Sequence, residues 1–161
     1  MLQMSKRADY ALLALSHLAS AAEIDPNRLL NTKEIAEHYE IPVELLAKIL
    51  QILARSGIIG SHPGPTGGYK LLKNPHEITV AHVVTLVDGQ VSILHCTNGQ
   101  DVCKQFDRCT IRNPLVEIEN RVKDLLDQIS IGEISGILAA NNKPQFEDFS
   151  KRKFAAGLPV G

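Results

Sequence analysis

The chain has no tryptophan, only 4% aromatic residues and no long apolar run. Without large rings, its core must rest on Leu, Ile, Val and Ala. A 44% hydrophobic content in 161 residues supplies these for one domain, or for one domain with an appended element. The first apolar run, Tyr10 to Ala22, is interrupted by Ser16, His17 and Ser20. It matches neither a secretory signal nor the ~18 continuous apolar residues of a membrane helix. The expectation is a cytoplasmic protein with no membrane partner. Positive charge is not in excess either, since 17 Lys and Arg face 18 Asp and Glu. Affinity for nucleic acid must therefore come from a local surface. Catalytic signatures are missing too: there is no phosphate-binding Gly loop between a strand and a helix, no nucleophile elbow and no catalytic carboxylate pair. The reading is not an enzyme.

Punctuation residues organise what is present. Ser5 is placed to cap a helix over 6–22, with Leu12, Leu15 and Leu18 plus Ala11 and Ala19 at helical spacing. Glu23 to Leu30, with Asp25-Pro26-Asn27, reads as a loop. Asn31-Thr32-Lys33-Glu34 reads as a capping box opening a short helix to about Tyr39, which buries Ile35, Ala36 and Tyr39. Pro42 suits the first position of the next helix, which stops at Gly57. That helix carries Leu46, Ile49, Leu50 and Leu53 on one stripe and Glu44, Lys48, Gln51 and Arg55 opposite. Two short helices joined in this way form a helix-turn-helix.

Short strands at Ile58-Ile59 and at Tyr69 to Leu72 flank His62-Pro63-Gly64-Pro65-Thr66-Gly67-Gly68, a compact turn. A hairpin directly after a recognition helix is a wing. Ile78 to Val87 reads as a further helix packed through Val80, Val83, Val84 and Leu86 and ended by Asp88-Gly89. A long helix follows over about Asn113 to Ile129, with Leu115, Ile118, Val122, Leu125 and Ile129 on one stripe; seventeen residues span ~25 Å. Such a stripe on so small a domain suits pairing with a copy of itself.

The predicted fold is mainly α with a small β-hairpin: a winged helix-turn-helix plus a long C-terminal dimerisation helix. The expected divisions are 1–89 for DNA binding, 90–112 for a cysteine loop, 113–140 for dimerisation and 141–161 for a flexible tail. The candidate DNA contacts are Lys33, Glu44, Lys48, Gln51 and Arg55 of the two helices and His62, Gly67, Tyr69 and Lys70 of the wing.

All three cysteines, Cys96, Cys103 and Cys109, fall in the pattern C-x6-C-x5-C within one polar loop. An odd number so clustered points to a metal site or a reactive thiol rather than a disulfide framework. Thiolates are soft donors that suit zinc, copper(I) or iron–sulfur clusters. Structural zinc sites favour close C-x2–4-C pairs, which are absent, and the wider gaps suit wrapping a cluster. Three cysteines leave one ligand to come from elsewhere. His95, adjacent to Cys96, is poorly placed to share its metal.

These residues together resemble the IscR/NsrR-type regulators, the Rrf-two superfamily. The match is carried by the opening run Ser5-Lys6-Arg7-Ala8-Asp9-Tyr10-Ala11-Leu12, the wing signature Gly64-Pro65-Thr66-Gly67-Gly68-Tyr69, the three-cysteine loop, and Asn113-Pro114-Leu115 opening the long helix. It covers about residues 1 to 139. It implies a homodimeric repressor on an inverted-repeat operator in double-stranded DNA, controlled by a 2Fe–2S or 4Fe–4S iron–sulfur cluster that senses nitric oxide, redox or iron–sulfur status.

The resemblance also implies the fourth ligand. In nitric-oxide-sensing members an acidic residue of the opening helix, supplied by the partner subunit, fills that place, and Asp9 matches it. His38 is the alternative, because some redox-sensing relatives draw a histidine from the corresponding short helix. The chain departs from the family at three points. Pro63 stands where a basic residue often precedes the wing, and Ala47 stands where some members carry a base-reading Glu. Arg112 stands where the cluster-biogenesis regulators have a histidine ligand, which moves the reading toward a nitric-oxide or redox sensor. Two further functions remain open: a cofactor-free DNA-binding regulator with oxidisable thiols, and a regulator that docks an enzyme partner.

Overall fold

A computed structural model describes residues 4–89 and 108–136. It begins with α1, Lys6–Ile24, whose first turn is closed by Ser5 accepting from the Ala8 N–H at 3.1 Å. The helix runs two residues past the expected end. Its stop is instead set by Asp25, held extended at φ −146° by the following Pro26. Alanines 8, 11, 14, 19 and 21 on its buried face, with Leu15 and Leu18, allow close approach of the elements around it.

Helix α2, Thr32–His38, starts at Asn31, whose side chain accepts from the Glu34 N–H at 2.8 Å. The capping box is half realised, because the Glu34 carboxylate turns to Arg28 at 3.3 Å. Ile35 and Ala36 are buried as expected, whereas Tyr39 is only half-buried. The turn to the next helix passes through Glu40 at φ +54°, the only non-glycine residue at positive φ among the described residues. Helix α3 is Val43–Arg55. Pro42 precedes it as the cap rather than occupying its first position, a one-residue shift set by its extended ψ of 121°. Gly57 follows at φ +74° and turns the chain into the wing.

Strands β1, Ile59–His62, and β2, Gly68–Leu71, pair antiparallel in the register Ile59↔Leu71 to His62↔Gly68. β1 starts one residue later and runs three residues further than expected, and β2 lies one residue earlier, although Leu72 N still donates to Ile58 O at 2.9 Å. A 3-10 turn over Pro75–Glu77 then leads to α4, Val80–Asp88, capped by Thr79 and ended by Gly89 at φ +86°. The helix starts two residues later than expected because Asn74 and Thr79 each cap a separate turn.

The main core gathers apolar side chains from α1, α2, α3, β1 and α4 around Leu15, Ile35, Leu50, Leu53 and Val83. Helix α5, Arg112–Gln128, joins through a smaller cluster in which Leu126 and Ile129 pack with Ala8, Val80 and Val84. The long helix starts one residue before the expected Asn113 and ends one residue before Ile129. A capping box between Ser130 and Glu133 opens the four-residue α6, Ile131–Ile134. Ile131 reaches the main core, and its N–H donates to Ile78 O at 2.8 Å. No helix of the described residues is long and apolar enough to cross a membrane.

Candidate nucleic-acid interface

Burial of Leu46, Ile49, Leu50 and Leu53 orients α3. With that stripe fixed inward, Glu44, Lys48, Gln51 and Arg55 are all exposed on the outer side. Glu44 lies in the first turn and Arg55 in the last, each matched in sign to the helix dipole. Lys33 is exposed on α2 and paired with Glu37 at 3.7 Å, an open surface pair that a phosphate can displace at little cost.

The wing stands beside this face, and its glycines answer to packing as well as to turn geometry. A Cβ on Gly67 would collide with the His62 carbonyl oxygen, and one on Gly68 would lie 2.6 Å from the Leu30 carbonyl oxygen. The second contact arises because Leu30 and Tyr69 exchange two backbone hydrogen bonds of 3.0 and 2.9 Å, adding a rung on the far side of β2. Tyr69 is half-buried against the core, His62 is exposed, and Lys70 is half-buried with Nζ 3.5 Å from Asn27 Oδ1. Sequence reading missed the part played by Asn27 and Leu30, because the contacts join residues about forty positions apart and leave no local pattern.

The candidate metal ligands divide. Cys96 and Cys103 lie outside the described residues. Cys109 is a free, half-buried thiol three residues before α5. Asp9 is half-buried in the first turn of α1. Its neighbour Ala8 belongs to the cluster at the C-terminal end of α5, whereas Cys109 precedes the N-terminal end. A 17-residue helix rises ~25 Å, so one chain does not bring Asp9 and Cys109 together. Among the described residues, no three His, Cys, Asp or Glu side chains are grouped to hold a metal.

His38 is exposed and engaged in a ring cluster. It lies edge-on to His17 at 4.8 Å and to Tyr39 at 4.6 Å between centroids, and His17 Nδ1 is 3.1 Å from the Tyr39 hydroxyl. Burial lowers the His17 pKa below its ordinary value, and His38 and Arg28 add to this while Glu34 opposes it. Nδ1 of His17 and the Tyr39 hydroxyl, whose own pKa is raised by burial, therefore form a hydrogen bond between two neutral groups.

Comparison with known proteins agrees with this architecture. Residues 4–136 match the Rrf2 family, described as an iron-dependent transcriptional regulator. The HTH-type regulator IscR of Pectobacterium atrosepticum is 28% identical over 97% of this chain and 93% of its own length. An rrf2-like HTH-type regulator of Rhodobacter capsulatus is 31% identical over 86% of this chain and 94% of its own. The structure of CymR, the global cysteine regulator of B. subtilis, superposes with a TM-score of 0.68 at 22% identity, covering 85% of this chain and 98% of that one. T. potens IscR gives 0.67 at 20%, covering 88% and 93%. At these identities the two structures speak for the winged-helix fold alone. Together with the exposed polar face of α3 and the wing beside it, the family match shows that this chain belongs to the Rrf2 family of DNA-binding transcriptional regulators.

Proposed function

We propose that the chain is a homodimeric repressor whose operator binding is controlled by an iron–sulfur cluster held by Cys96, Cys103 and Cys109, with Asp9 of the partner subunit as fourth ligand. The observation that carries this reading is the placement of Asp9 and Cys109 at opposite ends of α5. Antiparallel pairing of two α5 helices brings the N-terminal end of one beside the C-terminal end of the other, and so Asp9 of one chain toward Cys109 of the next. The outer face of α5 suits such pairing. Ile111, Leu115, Ile118, Val122 and Leu125 alternate at four- and three-residue steps, and Ile111, Ile118 and Leu125 are 60%, 49% and 38% exposed. This is the narrow seam of a two-helix contact.

The donor set fits a cluster. Three thiolates match its soft iron, and one carboxylate is a harder, weaker donor. When bound, the cluster supplies an iron atom accessible to nitric oxide or oxidants. In the cytoplasm of the cell, the protein chain holds that group between subunits, so that its loss changes how the two α1 helices, and the helix-turn-helix units attached to them, sit on the dimer. A symmetric dimer places two recognition helices about one DNA turn, ~34 Å, apart and calls for an inverted repeat.

Anaerobic purification with iron and sulfide analysis tests the reading. A coloured protein with visible charge-transfer absorption is expected, and Asp9→Ala is expected to alter that spectrum and the response to nitric oxide while His38→Ala leaves both intact. The reverse pattern would move the ligand to His38. A colourless, iron-free protein would turn the reading to free-thiol control.

A further inference from the structure

We infer that Val43 and Ala47 form an apolar edge of the recognition helix that reads the C5-methyl group of thymine in each operator half-site; this rests on the DNA-binding reading above. Val43 is the first residue of α3 and is 47% exposed. It does not pack on either hydrophobic cluster, and neither does Ala47 one turn later. A β-branched residue loses rotamer freedom in a helix, and exposure returns no burial in compensation. Among the described residues no apolar cluster covers Val43, which leaves the side chain available to a contact from outside the chain.

The geometry names the contact. Val43, Ala47 and Gln51 follow one another at four-residue steps and form a single ridge on α3. This ridge borders Glu44 and Lys48, which are exposed. The N-terminal residues of a recognition helix are those that reach base edges in the major groove. There the thymine methyl is the one apolar feature, matched by small aliphatic side chains, while an amide such as Gln51 matches adenine. The ridge therefore favours A·T pairs, with thymine under Val43 and Ala47.

The test uses the full chain, both as purified anaerobically and after iron removal, with operator duplexes selected from a random pool. Each thymine of the selected site is replaced in turn by deoxyuridine, which lacks only the methyl group. At one or two positions per half-site, wild-type affinity is expected to fall about fourfold, the factor that one buried methyl group of ~0.8 kcal/mol converts to at 1.4 kcal/mol per tenfold. Val43→Ser is expected to bind the two duplexes equally at one such position, with unchanged thermal stability because the site is exposed. If no deoxyuridine substitution weakens the wild type, or if the full effect survives in both Val43→Ser and Ala47→Ser, the assignment is overturned. Failure of both protein forms to enrich any duplex would instead overturn the DNA reading on which it rests.

Discussion

Helices α3 and α5 both carry apolar residues at helical spacing, yet α3 buries Leu46, Ile49, Leu50 and Leu53 in its own chain, whereas the one buried side chain of α5 is Glu119. The difference lies in what surrounds each. Helix α3 is packed against α1, α2, α4 and the first wing strand. Helix α5 meets α4 and anchors through Leu126 and Ile129 near its C-terminal end. A periodic stripe shows that a face is to be covered. It does not show by what. On α3 the stripe is broad enough for a globular core, and on α5 it is narrow, as the proposed pairing with a second copy requires. Glu119, which flanks that stripe, is 6% exposed and held by Lys123 at 2.7 Å.

The largest difference between the two helices is expected when one side chain is removed from each stripe. Leu50→Ala is expected to cost about 3 kcal/mol in urea unfolding, within the usual 2–5 kcal/mol for a filled core site. Ile118→Ala in the dissociated chain is expected to cost under ~1 kcal/mol, as surface changes do. Equal losses would mean that both stripes belong to one core. Next in size, Ile118→Glu is expected to raise the dissociation constant of the proposed dimer at least ~100-fold, about 2.7 kcal/mol, by light scattering, with the unfolding of the dissociated chain unchanged. A dimer that persists at low micromolar concentration would show that the seam lies elsewhere.

Charges sharpen the contrast further. Lys48→Ala on α3 is expected to reduce the salt slope of DNA binding by roughly 0.9, one phosphate contact, whereas Lys123→Ala on α5 leaves that slope alone. The smallest effect is at His17, which links α1 to Tyr39 just beyond α2. Its folded pKa lies below the unfolded 6.5, because burial disfavours the charged ring. The unfolded chain therefore takes up the proton first. Stability contributed by neutral His17 is present above pH 6.5 and declines as pH falls through that value toward the lower folded pKa. Melting temperatures at pH 7.5 and 5.5 should draw apart less in His17→Gln than in the wild type. An identical separation would show that another group carries the acid sensitivity.

Much of the fold was legible because its signals are local. Ser5, Asn31, Gly57 and Gly89 mark helix ends through contacts within a few residues, and the buried stripe of α3 follows from period alone. Boundaries slipped where two local signals compete, as at Asn74 and Thr79 before α4. The wing motif was legible as a turn, but the reason for Gly68 was not. The Leu30 backbone that excludes a Cβ there arrives from 38 positions earlier in the chain.

Local pattern in the chain accounts for the order of helices, the hairpin and the inward face of α3, and therefore for the identity of the exposed residues Glu44, Lys48, Gln51 and Arg55. Caps, turns and amphipathic period act over at most two helical turns. Tertiary packing alone settles that Leu30 adds a rung beside the wing, that Ile131 returns to the main core, and that Ile118 and Leu125 of α5 stay exposed while Ala8, next to Asp9, packs near the C-terminal end of that helix. Each depends on which distant segments pack together, and burial is a property of the assembled surface rather than of any stretch of chain.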